Sequence, residues 1–280
     1  MFKNSWNESE RLLGNGSILL ALCKYPYYTR KGKYVVQRSK INSKSAGGGS
    51  MPAAPRNEAK PMTFQRARKK EQIEDRRREI LTAAERLFNE GCLEDVTFSR
   101  IAKDVSFTRQ TIYTYYQTRE EVLLDLLSAK FKEFYESIDQ LFPPGKLFTR
   151  DEFCRRVAHH FIEHKMTLRL FSLRHTVLEE NVRYENLVAF NRVMLQVFPT
   201  VKNLLRRQCS VADDMLFDTF TFTMISYFAS IYPILEPHPN QLKAIFEAIG
   251  STAENHPTAE ECLIASIKLM TAGLKFKKEA

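Results

Sequence analysis

Between residues 97 and 116 the chain reads TFSRIAKDVSFTRQTIYTYY, and no other stretch restricts its fold as much. Phe98, Ile101, Ala102 and Val105 recur at helical spacing, and the pattern breaks near Ser106. Thr108 then stands where a hydroxyl caps a helix start, and a second short helix is expected to run to about Tyr116. A helix this short is marginal in water on its own. It survives only if Ile112 and Tyr116 are packed against neighbouring helices. Two short helices joined by a tight turn and packed on a longer one make the helix-turn-helix plan.

The flanking sequence supplies the rest of that plan. A first helix is expected from about Glu71 to Glu90, with Ile80, Ala83, Ala84, Leu87 and Phe88 on one buried stripe and Gly91 as a left-handed stop. Thr118 and Glu121 have the spacing of a capping box. They open a fourth helix that carries Val122, Leu123, Leu126, Leu127, Phe131 and Phe134 and extends to about Leu141, where Pro143-Pro144-Gly145 ends it. Further helices are expected at 151–164, 166–178, 184–208, 213–233, 239–249 and 258–276, with no strand alternation anywhere. The fold class is therefore all-α, divided at 66–141 and 142–280. Residues 1–65 read as a disordered leader and linker, because they show no sustained period and include SKSAGGGS.

Charge needs local reading. The net of +9 is concentrated in residues 1–50, which hold nine Lys/Arg against two acids. Residues 51–140 hold sixteen of each sign, yet residues 60–78 hold eight basic against three acidic, and residues 96–119 hold four basic against Asp104. A neutral total with basic clusters suits a molecule that binds a polyanion on one side. Five cysteines without C-x-x-C spacing fit scattered thiols in a reducing cytoplasm. The longest early apolar run, ILLALC, is too short for a membrane span.

With Ile112 and Tyr116 turned inward, Arg109, Gln110, Thr111, Tyr113, Thr114 and Tyr115 face outward or toward the rim. Arg pairs with guanine and Gln with adenine in a major groove, and Thr contacts the thymine methyl. Tyrosine hydroxyls and helix starts suit phosphate oxygens.

The stretch closely resembles the DNA-binding domain of the tetracycline-repressor family of bacterial regulators over about residues 72–132. Thr97, Ile101, Ala102, Thr111, Tyr113, Tyr115 and Glu120 match the family pattern outright, and Ile112, Tyr116, Thr118, Arg119 and Val122 are close replacements. Ser106 stands where the turn usually has glycine, and Val105 and Phe107 are larger than usual there. The resemblance implies that Arg109, Gln110, Thr111 and Thr114 read base edges. It implies phosphate contacts for Thr97, Tyr113, Tyr115 and Arg119, with Ser99 and Arg100 reaching either. It further implies an N-terminal helix-turn-helix domain and a C-terminal effector-binding and dimerisation domain, with a homodimer through helices 213–233 and 258–276. The second of these helices carries small residues at helical spacing, Cys262, Ala265, Ser266 and Gly273, together with Leu269.

An apolar effector pocket is expected among helices 151–233, lined by Phe171, His175, Phe190, Met194, Phe220 and Met224. A rival reading comes from HFIEH at 160–164, where His160 and His164 lie one helical turn apart and Glu163 is placed as a general base of a zinc-dependent hydrolase. No phosphate-cradling glycine loop, dinucleotide fingerprint or nucleophile elbow occurs. The expectation is a ligand-responsive regulator, a repressor of a palindromic operator, with no enzymatic activity, cofactor or metal.

Overall fold

The computed structural model describes residues 62–210, 213–250 and 256–279; of the leader and linker expected at 1–65, residues 1–61 lie outside the described residues and 62–65 are helical. Among the described residues there is no strand, only an isolated bridge between Cys209 and Phe276, and no helix is long and apolar enough to cross a membrane.

Helix α1 spans Met62–Glu90, nine residues earlier than the apolar stripe implied. Its buried side carries Ile80, Ala83, Ala84, Leu87 and Phe88 as expected. Gly91 follows, but its backbone is not left-handed. Its amide still donates to Leu87 O (3.1 Å), and a Cβ there would collide with the Asp95 carboxylate. Glycine here gives room to the Asp95 carboxylate, which accepts from Cys92 N, and does not serve a positive φ. Helices α2 (Phe98–Ile101) and α3 (Arg109–Ile112) are each about one turn long and continue as turns. Phe98, Ile101, Ile112 and Tyr116 are buried, so packing holds these short helices in place.

Helix α4 spans Arg119–Glu136, and α5, Ile138–Leu141, continues it after a break at Ser137. At the break, Ser137 Oγ donates to Phe134 O (2.8 Å), and His160 Nε2 also reaches that carbonyl (3.0 Å). A hydroxyl bonding back into its own helix bends it.

The remaining helices are α6 (Arg150–Glu163), α7 (Lys165–Ser172), α8 (Tyr184–Leu195), α9 (Val197–Gln208), α10 (Asp214–Ser230), α11 (Tyr232–Leu235), α12 (Pro239–Ile249) and α13 (Ala259–Met270). A π-helical segment, Arg174–Leu178, follows α7. Four expected helices are thus divided, 118–141 at Ser137, 166–178 at Leu173, 184–208 at Gln196 and 213–233 at Ile231, and prolines account for the last two. Pro199 and Pro233 each lie within the first three residues of the following segment, where a missing N–H is tolerated but the preceding helix cannot run through.

Thr149–Glu152 and Thr258–Glu261 form complete capping boxes. Lys278 and the Thr149 amide both bond the Glu152 carboxylate and hold its pKa at about 2, which ties the chain's end to the start of α6. Of the described cysteines, Cys154 and Cys209 are buried, Cys92 and Cys262 are exposed, and none is in a disulfide.

Candidate functional site

The helix-turn-helix is assembled from caps and long-range pins. Thr97 Oγ1 accepts from Arg100 N (3.3 Å) at the start of α2. The turn at Val105–Phe107 has no glycine, and a carboxylate from α1 holds it: Ser106 N donates to Glu79 Oε2 at 2.9 Å. That amide lowers the Glu79 pKa. Arg86 pairs with Asp104, and Arg76 lies over the Phe107 ring at 5.7 Å. We expect Glu79→Ala to speed hydrogen exchange at the Ser106 amide by about fivefold to tenfold, the weight of roughly one hydrogen bond. In the wild type this protection holds at neutral pH and is lost as pH falls through the depressed Glu79 value. Unchanged exchange in the variant would remove Glu79 from the turn.

Helix α3 presents the candidate base-reading residues. Arg109, Gln110, Tyr113 and Thr114 are exposed, and Thr111 and Tyr115 are half-buried. Arg109 Nη2 donates to Tyr113 OH at 2.8 Å, and its guanidinium lies 5.5 Å from that ring's centre. Tyr113 in turn meets Phe98 edge-on at 4.8 Å, so a buried ring of α2 supports the exposed pair. Thr111 Oγ1 and Thr108 Oγ1 lie 3.2 Å apart, and Thr114 Oγ1 donates to Thr111 O (2.7 Å). On α2, Ser99 is exposed and Arg100 pairs with Asp95. Arg119 is partly engaged within the protein, with Nε donating to Glu120 (2.9 Å) and Nη1 near Leu93 O (3.4 Å).

The Thr118–Glu121 box forms only in half. Thr118 Oγ1 accepts from Glu121 N (3.2 Å), but the Glu121 carboxylate accepts from Gln117 N (2.7 Å) and not from Thr118 N. Its other oxygen accepts Arg183 Nε (2.7 Å) and Arg183 N (3.2 Å). Arg183 Nη2 reaches both Glu121 Oε2 (2.9 Å) and Tyr115 O (3.3 Å), just past the recognition helix. Thr118 Oγ1 donates to Asn181 O (2.8 Å). Arg169, on α7, donates to Phe88 O (2.7 Å) and Gly91 O (2.8 Å) and lies 4.3 Å from the Phe88 ring's centre. Two arginines from the segment 165–183 therefore hold backbone carbonyls at the ends of two helices in the N-terminal unit. A cation beside a helix C-terminus is favourable to the helix dipole. Sequence periodicity held no sign of these partners, 62 and 81 residues apart.

Where α4 and α5 meet the C-terminal unit, a cavity of about 80 Å³ opens among α4–α6, α9 and α10. Phe220 and Met224, two of the residues expected there, line it together with Phe134, His160, Phe161 and Phe228. Phe171 lies one layer behind, 5.1 Å from the Phe228 ring and 5.4 Å from that of Phe131. The other three lie elsewhere: His175 pairs with Glu179 at 3.1 Å, Phe190 lies beneath the Arg174 guanidinium at 5.0 Å, and Met194 is buried on α8.

The two histidines of the H-x-x-E-H motif lie ring to ring at 4.3 Å, but a nitrogen of each is engaged with the protein backbone and the glutamate does not join them. His160 is buried against Phe134, and His164 Nδ1 faces His160 O (2.8 Å). Glu163 points to solvent, where it pairs with His159 at 3.1 Å. The general base of the zinc reading is thus turned away from the ligands it would serve, and the hydrolase reading finds no support.

Among the described residues, an all-helical fold with an anchored short helix that presents hydrogen-bond donors is the architecture of a helix-turn-helix DNA-binding regulator. Residues 80–126 match the model described as "Bacterial regulatory proteins, tetR family", and residues 128–278 match that described as "Tetracyclin repressor-like, C-terminal domain". The chain belongs to the tetR family of transcriptional regulators. No curated protein sequence matches it. Among solved structures it is similar to a TetR transcriptional regulator from Streptomyces coelicolor, with 14% identity over 70% of this chain and 95% of that one, at a TM-score of 0.49. It is also similar to SmeT, the repressor of the Stenotrophomonas maltophilia multidrug efflux pump SmeDEF, with 18% identity, 72% and 90% coverage and a TM-score of 0.43. A third is PfmR from Thermus thermophilus, with 16% identity, 68% and 96% coverage and a TM-score of 0.44.

Proposed function

We propose that this regulator is a cytoplasmic homodimer that represses a near-palindromic operator and releases it when a small molecule enters its C-terminal unit. It carries out no enzymatic reaction. The N-terminal unit, residues 66–141, binds the DNA, and residues 142–280 dimerise and hold the effector.

The observation that carries this reading is the exposed Arg109–Tyr113 pair beside Gln110 and Thr114, on a helix fixed from behind by Ile112 and Tyr116. Within that frame Arg109, Gln110, Thr111 and Thr114 contact base edges. Thr97, Tyr113, Tyr115 and Arg119 contact phosphates, and Ser99 and Arg100 meet the flanking backbone or an adjacent base. Dimerisation through α10 and α13 accords with the apolar groups these helices leave uncovered: Met215 is 70% exposed and Leu269 78% exposed. Cys262, Ala265 and Gly273 beside Leu269 are small and exposed, which lets a second helix approach closely. A two-fold dimer presents two α3 helices to successive major grooves.

The route from effector to DNA runs through the segment 165–183. Phe228 and Phe131 line the cavity, Phe171 of α7 packs on both, and Arg169 and Arg183 grip the N-terminal unit on either side of Phe171. A ligand that displaces α10 or α4 thereby displaces the carbonyl ends of α1 and α3.

Selection from a random double-stranded DNA pool tests the core claim. The wild type is expected to enrich two half-sites with dyad symmetry. On the selected site Arg109→Ala is expected to weaken binding by about 1–3 kcal/mol and to relax preference at a single base pair of each half-site. Arg119→Ala is expected to weaken all DNA alike and reduce the salt slope by about one. Unchanged affinity and preference in both variants would refute the contact assignment.

A further inference from the structure

The cavity among α4–α6, α9 and α10 has an unusual wall. Ligand pockets are ordinarily apolar with a few convergent polar groups that orient the guest. Here the surface presented to the cavity is wholly apolar, and none of its lining side chains is an acid, a lysine or an arginine.

The two polar residues among the lining are turned to other partners. Thr221 Oγ1 donates to Phe217 O (2.8 Å) in its own helix. His160 is 6% exposed, and its Nε2 faces Phe134 O (3.0 Å) and Ser137 Oγ (3.2 Å), at the break between α4 and α5. Its ring stacks on Phe134 at 4.4 Å. Burial pushes the His160 pKa below the ordinary histidine range, so the ring is neutral at neutral pH. The rest of the wall is seven phenylalanines and eight aliphatic side chains; Phe134, Phe161 and Phe228 lie at mutual centroid distances of 4.8–5.6 Å. The cavity's 80 Å³ is several times the roughly 10–15 Å³ that one water needs by the same measure, and its wall offers water no partner.

We infer that this cavity selects an uncharged, flat aromatic guest of one or two rings and excludes organic anions. Calling that guest the effector rests on the regulatory reading above. An aromatic face or edge meets the phenyl wall favourably in offset or edge-on geometry. A carboxylate would enter unpaired, with no countercharge and no hydrogen bond to replace water. Selection thus comes from charge exclusion and shape, not from a polar anchor.

Calorimetric titration of the full chain with naphthalene and 2-naphthoate at pH 7.5 tests this. Naphthalene is expected to bind once per chain, and 2-naphthoate at least about a hundredfold more weakly. Val157, half-buried on α6, lines the same space, and Val157→Phe is expected to weaken naphthalene by at least about tenfold. Equal or tighter binding of 2-naphthoate, or no naphthalene binding up to its solubility limit, overturns the inference whatever the variant does. Failure of the wild type to select any DNA sequence refutes the regulator instead and leaves the ligand series to decide the cavity's chemistry.

Discussion

Arg183→Ala is expected to destabilise the chain by about 3–5 kcal/mol at pH 7.5, more than Glu121→Ala does. The asymmetry follows from burial. Glu121 is 1% exposed, and its carboxylate is satisfied by Gln117 N, Arg183 N and the Arg183 guanidinium. Deleting the arginine side chain leaves a buried carboxylate with backbone partners only. Deleting the glutamate leaves Arg183, whose side chain is 43% exposed, free to rehydrate. We expect that second loss to be about 1–2 kcal/mol, that of hydrogen bonds to a charged group.

The pH dependence separates the two variants further. Burial alone would raise the Glu121 pKa, but Arg183 and the two amides outweigh it and hold the value below the ordinary carboxylate range. In the wild type this stabilisation is complete above the unfolded value of about 4.3 and is lost as pH falls through the folded one. Without Arg183 the burial effect dominates and the folded pKa rises. The deficit of Arg183→Ala should therefore narrow as pH falls toward 5, where the lone carboxylate takes up a proton. Urea unfolding at pH 7.5 and pH 5, at fixed protein concentration, measures both effects. A deficit under 1 kcal/mol, or a larger one for Glu121→Ala, would show that the pair does not join the two units. Because Arg183 also holds Tyr115 O, affinity for the selected DNA should fall in the same variant.

The contrast between what the sequence disclosed and what it hid has a physical basis. Local rules placed the caps at Thr97 and Thr118 and the buried stripe of α1, because these depend on neighbours within a turn or two. The inward turn of Ile112 and Tyr116 was legible for the same reason: a short helix has few ways to be stabilised. The helix-turn-helix spacing and the tetR family resemblance stood on the same residues.

Long-range polar partners were not legible. Glu121 had the right spacing to close a capping box on Thr118, and only the fold shows its carboxylate reaching Gln117 N and Arg183 instead. Gly91 looked like a left-handed stop, while the actual demand is room for the Asp95 carboxylate. In the C-terminal unit, periodicity marks a residue as buried but does not say whether it faces a cavity or packed core. Of the residues singled out there, Phe220 and Met224 border the open space, and Phe171 stands one layer behind. His160 was conspicuous for its H-x-x-E-H spacing. Its environment assigns it to the break in a helix and to the cavity wall.

Phe228→Ala should cost about 3–5 kcal/mol of stability, and a small aromatic guest should restore much of it. Phe228 is 2% exposed and lies at the centre of the phenyl cluster, with Phe134, Phe161 and Phe171 at 4.8, 5.0 and 5.1 Å. Removing its ring adds a void beside the existing cavity, since rigid neighbours on α4, α6 and α7 cannot all collapse into it. The void is lined by rings and held dry by the absence of polar surface, so benzene or naphthalene fits it where water gains no hydrogen bond. Thermal unfolding with and without saturating naphthalene reads the effect, and the upward shift should be greater for the variant than for the wild type. The same substitution removes one of the two rings through which the cavity touches Phe171 and leaves Phe131 at 5.4 Å. If the segment 165–183 carries the signal through Phe228, the variant keeps its affinity for the selected DNA site when folded but no longer loses it when naphthalene binds. A variant that binds naphthalene and still releases the DNA as the wild type does would place the route elsewhere, through Phe131 of α4.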